Sequence, residues 1–302
     1  MSRTNVSHGK RSYAWCDACG TLLLGGSCSR CGKAGRRFEV NSPGDIRPCM
    51  GESNVILRDL FTEAFGTFAP FEGRALFFNK IPGEDRADEI VAHGEVIGVL
   101  MFDVVAGRLR IELRQPGADL LADAAEKNIV TFGGPSGHLK GKNLPGDAVI
   151  GAVGGFRAGD PLILKRGTKT GPGIALADSD VFRKADRAFK VRDLNTWTAR
   201  PVSPPSGRTA FVEANREHLS ALESKAVSDI RSFAKGKGKP VTVSFSGGKD
   251  SLAAYGLASK AMGDVELLFI DTGIEFPETV AYVGRFAEDR DETLHTARAG
   301  NA

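Results

Sequence analysis

The chain has 302 residues, 41% of them hydrophobic and 25% charged, and a formal net charge of +3. That length suits two or three domains of roughly 100–200 residues, and the composition excludes a disordered or fibrous protein. No apolar run reaches the ~18 residues of a membrane span, and the polar start Met1–His8 lacks the apolar stretch of a secretory signal, so a cytoplasmic protein with no membrane partner is expected.

Residues 1–50 carry eight Lys/Arg against three Asp/Glu, and within them 13–38 hold two cysteine pairs. Asn41–Asp45 is a turn cluster. Over Val55–Phe65 the apolar residues fall at helical spacing, with Pro70 beyond the end. Ala75–Phe78 reads as a short strand, Glu89–Val105 and Leu109–Leu113 as strands around Ala106-Gly107, and Ala118–Lys127 as a short helix. Residues 51–128 are therefore expected to form a small α/β domain, after a first module over 1–50.

Residues 129–194 change character. Ile129-Val130, Ala148–Val153, Pro161–Leu164, Ile174–Ala177 and Ala188–Val191 alternate with Gly/Pro/Asp turns, a spacing that predicts a small β-barrel. The stretch is also basic, with eleven Lys/Arg against five Asp/Glu over 131–192. Residues 195–208 read as a linker by composition. One long helix is expected over 209–235, stopped by Lys235–Pro240. Val241–Phe245 and Val265–Ile270 then read as buried strands, each followed by a helix, and this βαβα order predicts a parallel sheet. The segment 265–302 is acidic, with eight Asp/Glu against three Lys/Arg. His295–Ala302 offers no structural finish, so the nucleotide-binding part is expected to be truncated after two strands. No internal repeat is present.

Cys16-Asp-Ala-Cys19 and Cys28-Ser-Arg-Cys31 are two CxxC pairs separated by eight residues. Each presents two thiolates from a tight turn, and four thiolates close a tetrahedral shell of the structural zinc type. Gly20 and Gly32 follow the second cysteine of each pair, as in zinc knuckles. A zinc ribbon is expected, with a redox dithiol or an iron–sulfur site as the alternatives. Cys49 stands outside the spacing and is expected to be a buried small residue.

Ser246-Gly-Gly-Lys-Asp-Ser251 follows a strand and opens a helix. There, successive backbone N–H groups can converge on an oxyanion, helped by the helix dipole. Gly247 and Gly248 permit close approach, Ser246 and Ser251 can donate hydroxyl hydrogen bonds, and Lys249 adds a positive charge. Asp250 is assigned to holding a cation or orienting the loop, and Lys249 and Asp250 are the candidate catalytic pair. The spacing is not that of a Walker A loop.

Together, Val243–Leu252 and Phe269–Thr279 resemble the phosphoadenosine phosphosulfate (PAPS) reductase family of the ATP-pyrophosphatase (PP-loop) superfamily, which has an adenine-nucleotide α-hydrolase-like fold. The resemblance covers about 210–302. It implies that Asp271, Thr272 and Gly273 lie by the nucleotide and that Phe276–Thr279 starts the neighbouring helix. It also implies an adenine nucleotide ligand (ATP or PAPS), magnesium as an optional companion, and a thiol reductant or sulfur carrier as partner. An iron–sulfur cluster is expected only in a region beyond Ala302. In thiol-dependent members a C-terminal cysteine attacks sulfur, whereas no cysteine follows Cys49 here.

Gly137–Leu144, Pro145-Gly146, Phe156–Asp160, Pro161–Leu164 and Gly173–Ala177 resemble a PUA domain, a pseudo-barrel of RNA-modifying enzymes. In that family a helix and a Gly-rich loop contact RNA near the first segment. The resemblance implies a tRNA-like partner. Physically, Lys140, Lys142, Lys165, Arg166 and Lys169 could neutralise phosphates, with close backbone approach at Gly141. The order of zinc ribbon, small α/β domain, PUA and PAPS-reductase-like domain is similar to assemblies in archaeal proteins. Three functions follow: a sulfonucleotide reductase-like or sulfur-transferring enzyme, an ATP-dependent RNA-modifying enzyme that adenylates or thiolates a base, and a non-catalytic RNA-binding protein with a truncated nucleotide domain.

Overall fold

The computed structural model describes residues 9–134, 137–237 and 241–298. The polar start over 1–8, the Gly238–Pro240 part of the helix stop and the last residues 299–302 lie outside that set. The chain divides into two compact units, Met1–Arg216 and Glu217–Ala302.

In the first unit β1 (Lys10–Cys16), β2 (Thr21–Leu23) and β3 (Arg36–Asn41) form an antiparallel sheet in the order β2-β1-β3. A second antiparallel sheet runs in sequence order through β4 (Asp45–Pro48), β5 (Phe77–Lys80), β6 (Ala87–Ala92), β7 (Glu95–Asp103) and β8 (Arg108–Leu113). Helix α1 (Glu52–Phe65) buries Leu57, Phe61 and Phe65, one apolar stripe at four-residue spacing, in a core with Phe71, Ile90 and Leu100. Gly66 ends it in the left-handed conformation (φ 77°), its N–H bonded to the Thr62 carbonyl. The other face of the second sheet is covered as well: Trp15, Leu22 and Phe38 of the first sheet pack with Phe77 and Val91.

The single strand expected over Glu89–Val105 is two strands, β6 and β7. His93 (φ 54°) and Gly94 (φ 70°) make the two-residue turn between them, and both central residues at positive φ suit the right-handed twist of a hairpin. The turn is hard to see in sequence because β6 is buried at all six positions, so its apolar residues do not alternate. Helix α2 (Gln115–Leu121) starts three residues earlier than expected, with Pro116 in its first turn. A Cβ on Gly117 would lie 2.0 Å from the Ile97 carbonyl oxygen, so only glycine permits this approach.

The third sheet of this unit comprises β9 (Ile129–Phe132), β10 (Asn143–Leu144), β11 (Val149–Val153), β12 (Pro161–Arg166), β13 (Lys169–Ala175), β14 (Phe189–Val191) and β15 (Asn195–Thr196). Its order is β10-β14-β13-β12-β9-β11, with β15 on β13 and the β9/β12 pair parallel. Strands β10 and β11 end that path without pairing, so the expected barrel is an open sheet among the described residues. Its core holds Val130, Phe132, Phe156, Leu164, Phe182 and Phe189.

Residues 197–207 form a strap fixed to the first two sheets. The Ser203 hydroxyl accepts from Trp15 Nε1 (3.0 Å), and the Ser203 N–H donates to His93 Nδ1 (3.0 Å). The Ser206 hydroxyl donates to the Gly20 carbonyl (2.6 Å), and Arg200 pairs with the buried Asp119 (2.8 Å).

The long helix expected over 209–235 is α3 (Arg208–Ala214) and α4 (Arg216–Lys237), broken at Asn215. The Asn215 side chain accepts from the Leu24 N–H and donates to the Leu22 and Phe211 carbonyls, joining α3 to β2.

In the second unit β16 (Thr242–Ser244), α5 (Lys249–Met262), β17 (Glu266–Asp271), α6 (Pro277–Glu288) and β18 (Leu294–Arg298) follow one another. The three strands are parallel in the order β16-β17-β18. Val243, Phe245, Leu267 and Phe269 pack with Ala258 of α5 and with Val283 and Phe286 of α6. The third strand corrects the expectation of two. Leu294–Arg298 has one large apolar residue and is mostly exposed, so apolar patterning does not reveal it.

Candidate functional site

The segment after β16 carries the phosphate-loop residues. Gly247 adopts φ 75°, and a Cβ there would come within 3.0 Å of the Tyr282 ring on α6. Glycine is thus required both for the turn and for the approach. Gly248 is the N-cap of α5 and makes no side-chain cap bond. Among the described residues, the amides of Gly247, Gly248 and Asp250 donate to no protein acceptor. Ser246, Gly248, Lys249 and Asp250 are exposed and Ser251 is half-buried. The Ser246 hydroxyl donates to Ser251 Oγ (3.3 Å), which donates to the Gly248 carbonyl (3.0 Å). Lys249 Nζ bonds Asp250 Oδ1 at 2.9 Å. Asp250 thus sits against the neighbouring cation.

Asp271, Thr272 and Gly273 follow β17. The parallel register Ser244↔Leu268 puts them at the same carboxyl edge of the sheet as the loop, where ligands bind in open α/β sheets. Asp271 Oδ1 accepts from the Gly273 N–H (3.0 Å), and Thr272 Oγ1 donates to Glu275 Oε1 (3.0 Å). Pro277 opens α6 just beyond. Two residues absent from the sequence expectation join this edge. Tyr282 packs behind Gly247, and Arg298, opposite Asp271 in the β17/β18 register, lies 3.5 Å from its carboxylate. The helical spacing of Phe276, Val280 and Val283 could have placed Tyr282 on α6, but Arg298 had no signal without β18.

In the first unit the sulfurs of Cys16, Cys19, Cys28 and Cys31 all lie within 4.8 Å of one another. Cys16–Cys31 and Cys19–Cys28 are 3.5 and 3.8 Å apart. Four Zn–S bonds of ~2.3 Å in a tetrahedron set sulfurs about 3.8 Å apart, so the cluster fits a metal such as zinc. The turns come from Gly20 (φ 63°) and Gly32 (φ 72°), whose amides bond the carbonyls of Cys16 and Cys28, each at 2.8 Å. Burial pushes the Cys16 thiol up to about 12 and raises that of Cys19, and a bound cation would offset this penalty on the thiolates. Cys31 is exposed, and the Lys33 amide lowers its thiol to about 7. Cys49 is buried away from the cluster, and burial raises it to about 12.

The basic residues of the third sheet are arranged unequally. Lys140 pairs with Asp193 (3.0 Å), and Arg166 donates to the Gly134 carbonyl (2.9 Å) over the Phe132 ring. Lys142, Lys165 and Lys169 have no ion-pair partner among the described residues. Gly141 adopts φ 81° with nothing within 4 Å of an added Cβ, leaving open space beside the backbone. Residues 137–142 are loop and turn, and a single helical turn, Gly146–Ala148, follows the segment.

Comparison with known proteins adds the following. Residues 240–302 match the phosphoadenosine phosphosulfate reductase domain. An uncharacterized protein of Methanocaldococcus jannaschii is 29% identical over 291 residues, covering 91% of this chain and 60% of that protein. The chain thus spans about 60% of that relative's length. Sulfate adenylyltransferase subunit 2 of Streptomyces lavendulae is 43% identical over 72 residues, 22% of each chain. Among solved structures, a conserved PUA domain protein from Thermoplasma acidophilum superposes with a TM-score of 0.36 at 15% identity, over 49% of this chain and 91% of that one. No helix among the described residues is long and apolar enough to cross a membrane.

Proposed function

We propose that Ser246–Ser251, with Asp271–Gly273, binds the phosphates of an adenine nucleotide, and that the chain acts as a PAPS reductase-like PP-loop enzyme in sulfur transfer or sulfonucleotide reduction. The observation that carries this is the outward-facing loop. A left-handed Gly247 backed by Tyr282 leaves the Gly247, Gly248 and Asp250 amides without a protein acceptor among the described residues, at the start of a fourteen-residue helix and the carboxyl edge of a parallel sheet. Such amides and the helix dipole favour an oxyanion. In this role Lys249 would neutralise developing negative charge, and Asp250 would hold Lys249 or a magnesium ion. A thiol reductant or sulfur carrier would act as the partner that supplies the nucleophile. The cysteine cluster is assigned a structural zinc, because four thiolates would complete a tetrahedral shell and three of the four are buried.

A second function, ATP-dependent adenylation or thiolation of an RNA base, is favoured by Lys142, Lys165 and Lys169, which have no ion-pair partner among the described residues, and by the open backbone at Gly141. The module boundaries proposed with these roles are 1–50, 51–128, 129–194, 195–208 and 209–302.

Gly248→Asp tests the nucleotide site. Gly248 has φ −81°, and an added Cβ meets only Ser246 Oγ at 3.6 Å, so aspartate fits the backbone. As an N-cap, aspartate is at least as good as glycine, while its charge repels phosphate. Calorimetric titration with ATP and with PAPS should show affinity falling at least a hundredfold with the melting temperature unchanged or slightly raised. Unchanged affinity would remove the assignment.

A further inference from the structure

The first unit contains a cavity of about 420 Å³ that none of these roles uses. Its walls are the end of β4 and start of α1, the segment 72–77, and the start of α3. Three guanidinium groups border it, Arg58, Arg74 and Arg208, against one carboxylate, Glu72. Formal charges of +3 and −1 leave +2. Arg58 donates to Glu72 Oε1 at 2.8 Å. Arg74 is anchored from behind, with Nε on the Ser203 carbonyl (3.0 Å) and Nη1 on the Glu72 carbonyl (2.8 Å). That leaves Arg74 Nη2, and all of the exposed Arg208 side chain, without a partner among the described residues.

Three further observations point to an occupant. Cys49, 5% exposed, lines the wall, and its thiol has no hydrogen-bond partner among the described residues. Gly51, Gly73 and Gly207 all border the space, and a Cβ added to any of them meets nothing within 4 Å. Gly51 caps the fourteen-residue α1 without a side-chain bond, and while the Asn54 N–H bonds the Gly51 carbonyl at 3.0 Å, the Glu52 and Ser53 amides have no acceptor among the described residues. Leu76, Phe77 and Phe211 supply an apolar side. Small-ligand sites are typically ~300–1,000 Å³ and mostly apolar with a few convergent polar groups.

We propose that this cavity binds a phosphate monoester. The surplus of two positive charges matches a dianion, guanidinium forks suit phosphate oxygens, and the volume admits a group of nucleoside size against Phe77 and Phe211. The same chemistry is offered by a free nucleoside 5′-monophosphate and by the phosphorylated end of an RNA strand.

The test uses the full chain carrying Gly248→Asp, so that nucleotide binding at the phosphate loop does not contribute and failure of that assignment stays separate. Calorimetry is run with AMP, with adenosine, and with 5′-phosphorylated and 5′-hydroxyl forms of one hexaribonucleotide. AMP or the phosphorylated oligomer should bind at least tenfold more tightly than its unphosphorylated counterpart. Arg208→Glu should remove at least tenfold of that affinity. Gly207→Leu should do the same by filling the space, since its φ of −141° accepts any side chain. Arg208→Glu stands alone as the test should Gly207→Leu fail to fold. Binding of AMP alone assigns the site to a free nucleotide, and binding of the phosphorylated oligomer alone assigns it to an RNA end. No binding, equal binding without the phosphate, or binding indifferent to Arg208→Glu overturns the proposal.

Discussion

The cysteine turns and the phosphate loop are built from the same local device but differ in exposure, one buried within its own unit and the other open to solvent. Each uses a left-handed glycine just past a strand, Gly20 at φ 63° and Gly247 at φ 75°. In each, a Cβ would strike a neighbour, the Pro204 carbonyl at 2.6 Å in one case and the Tyr282 ring at 3.0 Å in the other. Around Gly20 the functional atoms turn inward. Cys16, Cys19 and Cys28 are buried, and the strap 197–207 is bonded over the turn. Around Gly247 they turn outward, with Ser246, Gly248, Lys249 and Asp250 exposed. A mostly buried four-thiolate site of this kind contributes stability, whereas an open loop leaves donors unsatisfied until a ligand arrives.

The largest expected effect would come from breaking the closed site. Cys16→Ser with Cys19→Ser should eliminate one zinc per chain by elemental analysis. It should also abolish amide-exchange protection in β1–β3, while protection in β16–β18 stays as it was. Metal binding of this type is worth about 10–16 kcal/mol in isolated zinc modules, far more than the remaining contacts of a three-stranded sheet could replace. A metal-free chain with β1–β3 still protected would end the structural-zinc assignment. Gly248→Asp is the converse at the open site, where ligand affinity should go and stability should stay.

A smaller effect concerns how the strap is held. His93 is buried and its imidazole is pushed down to about 4, chiefly by burial. Nδ1 accepts from the Ser203 N–H, so the neutral ring must donate through Nε2 to the Pro70 carbonyl at 3.1 Å. Protonating Nδ1 would set two donors against each other. Because the folded value lies below the ordinary one of 6.5, the unfolded chain binds the extra proton between them. This contribution to stability is complete above pH 6.5 and is lost as pH falls toward 4. The total is about 3 kcal/mol at 1.36 kcal/mol per unit. Denaturant midpoints measured from pH 7 to pH 4 should fall in the parent, and His93→Asn, which tolerates the φ of 54°, should flatten that slope. Parallel slopes in the two proteins would show that His93 does not carry it.

What could be read without coordinates follows from the same contrast between local and distant causes. The cysteine spacing, the loop hexapeptide, α1 and the start of α6 are local patterns, and each lies where its own residues indicate. The misses have distant causes. β6 and β7 merged because the first sheet, β1–β3, covers the face that would otherwise alternate. The break at Asn215 depends on the Leu22 and Leu24 backbone nearly 200 residues earlier. The strap reads as a linker because its serines and prolines lack apolar signal, yet its bonds go to Trp15, Gly20 and His93. β18 is defined by pairing with β17 rather than by its own residues.

The finest distinction lies among the cations of the third sheet, and there the effect should be smallest. If RNA phosphates are bound on this face, each lysine that meets one releases a counterion, and log K falls with log salt by ~0.7–0.9 per contact. Lys140 is already paired with Asp193, so its removal leaves an acid exposed beside the site as well as losing a charge. Lys142 has no such partner among the described residues and sits next to the open Gly141. Lys142→Ala should therefore lower the salt slope by about 1 for a structured RNA without changing the preference among sequences. Lys140→Ala should weaken binding more than that slope change accounts for, because Asp193 is left to repel the backbone. Filter-binding titrations from 50 to 300 mM salt separate the two, and identical slopes in parent and Lys142→Ala would place the RNA contact elsewhere.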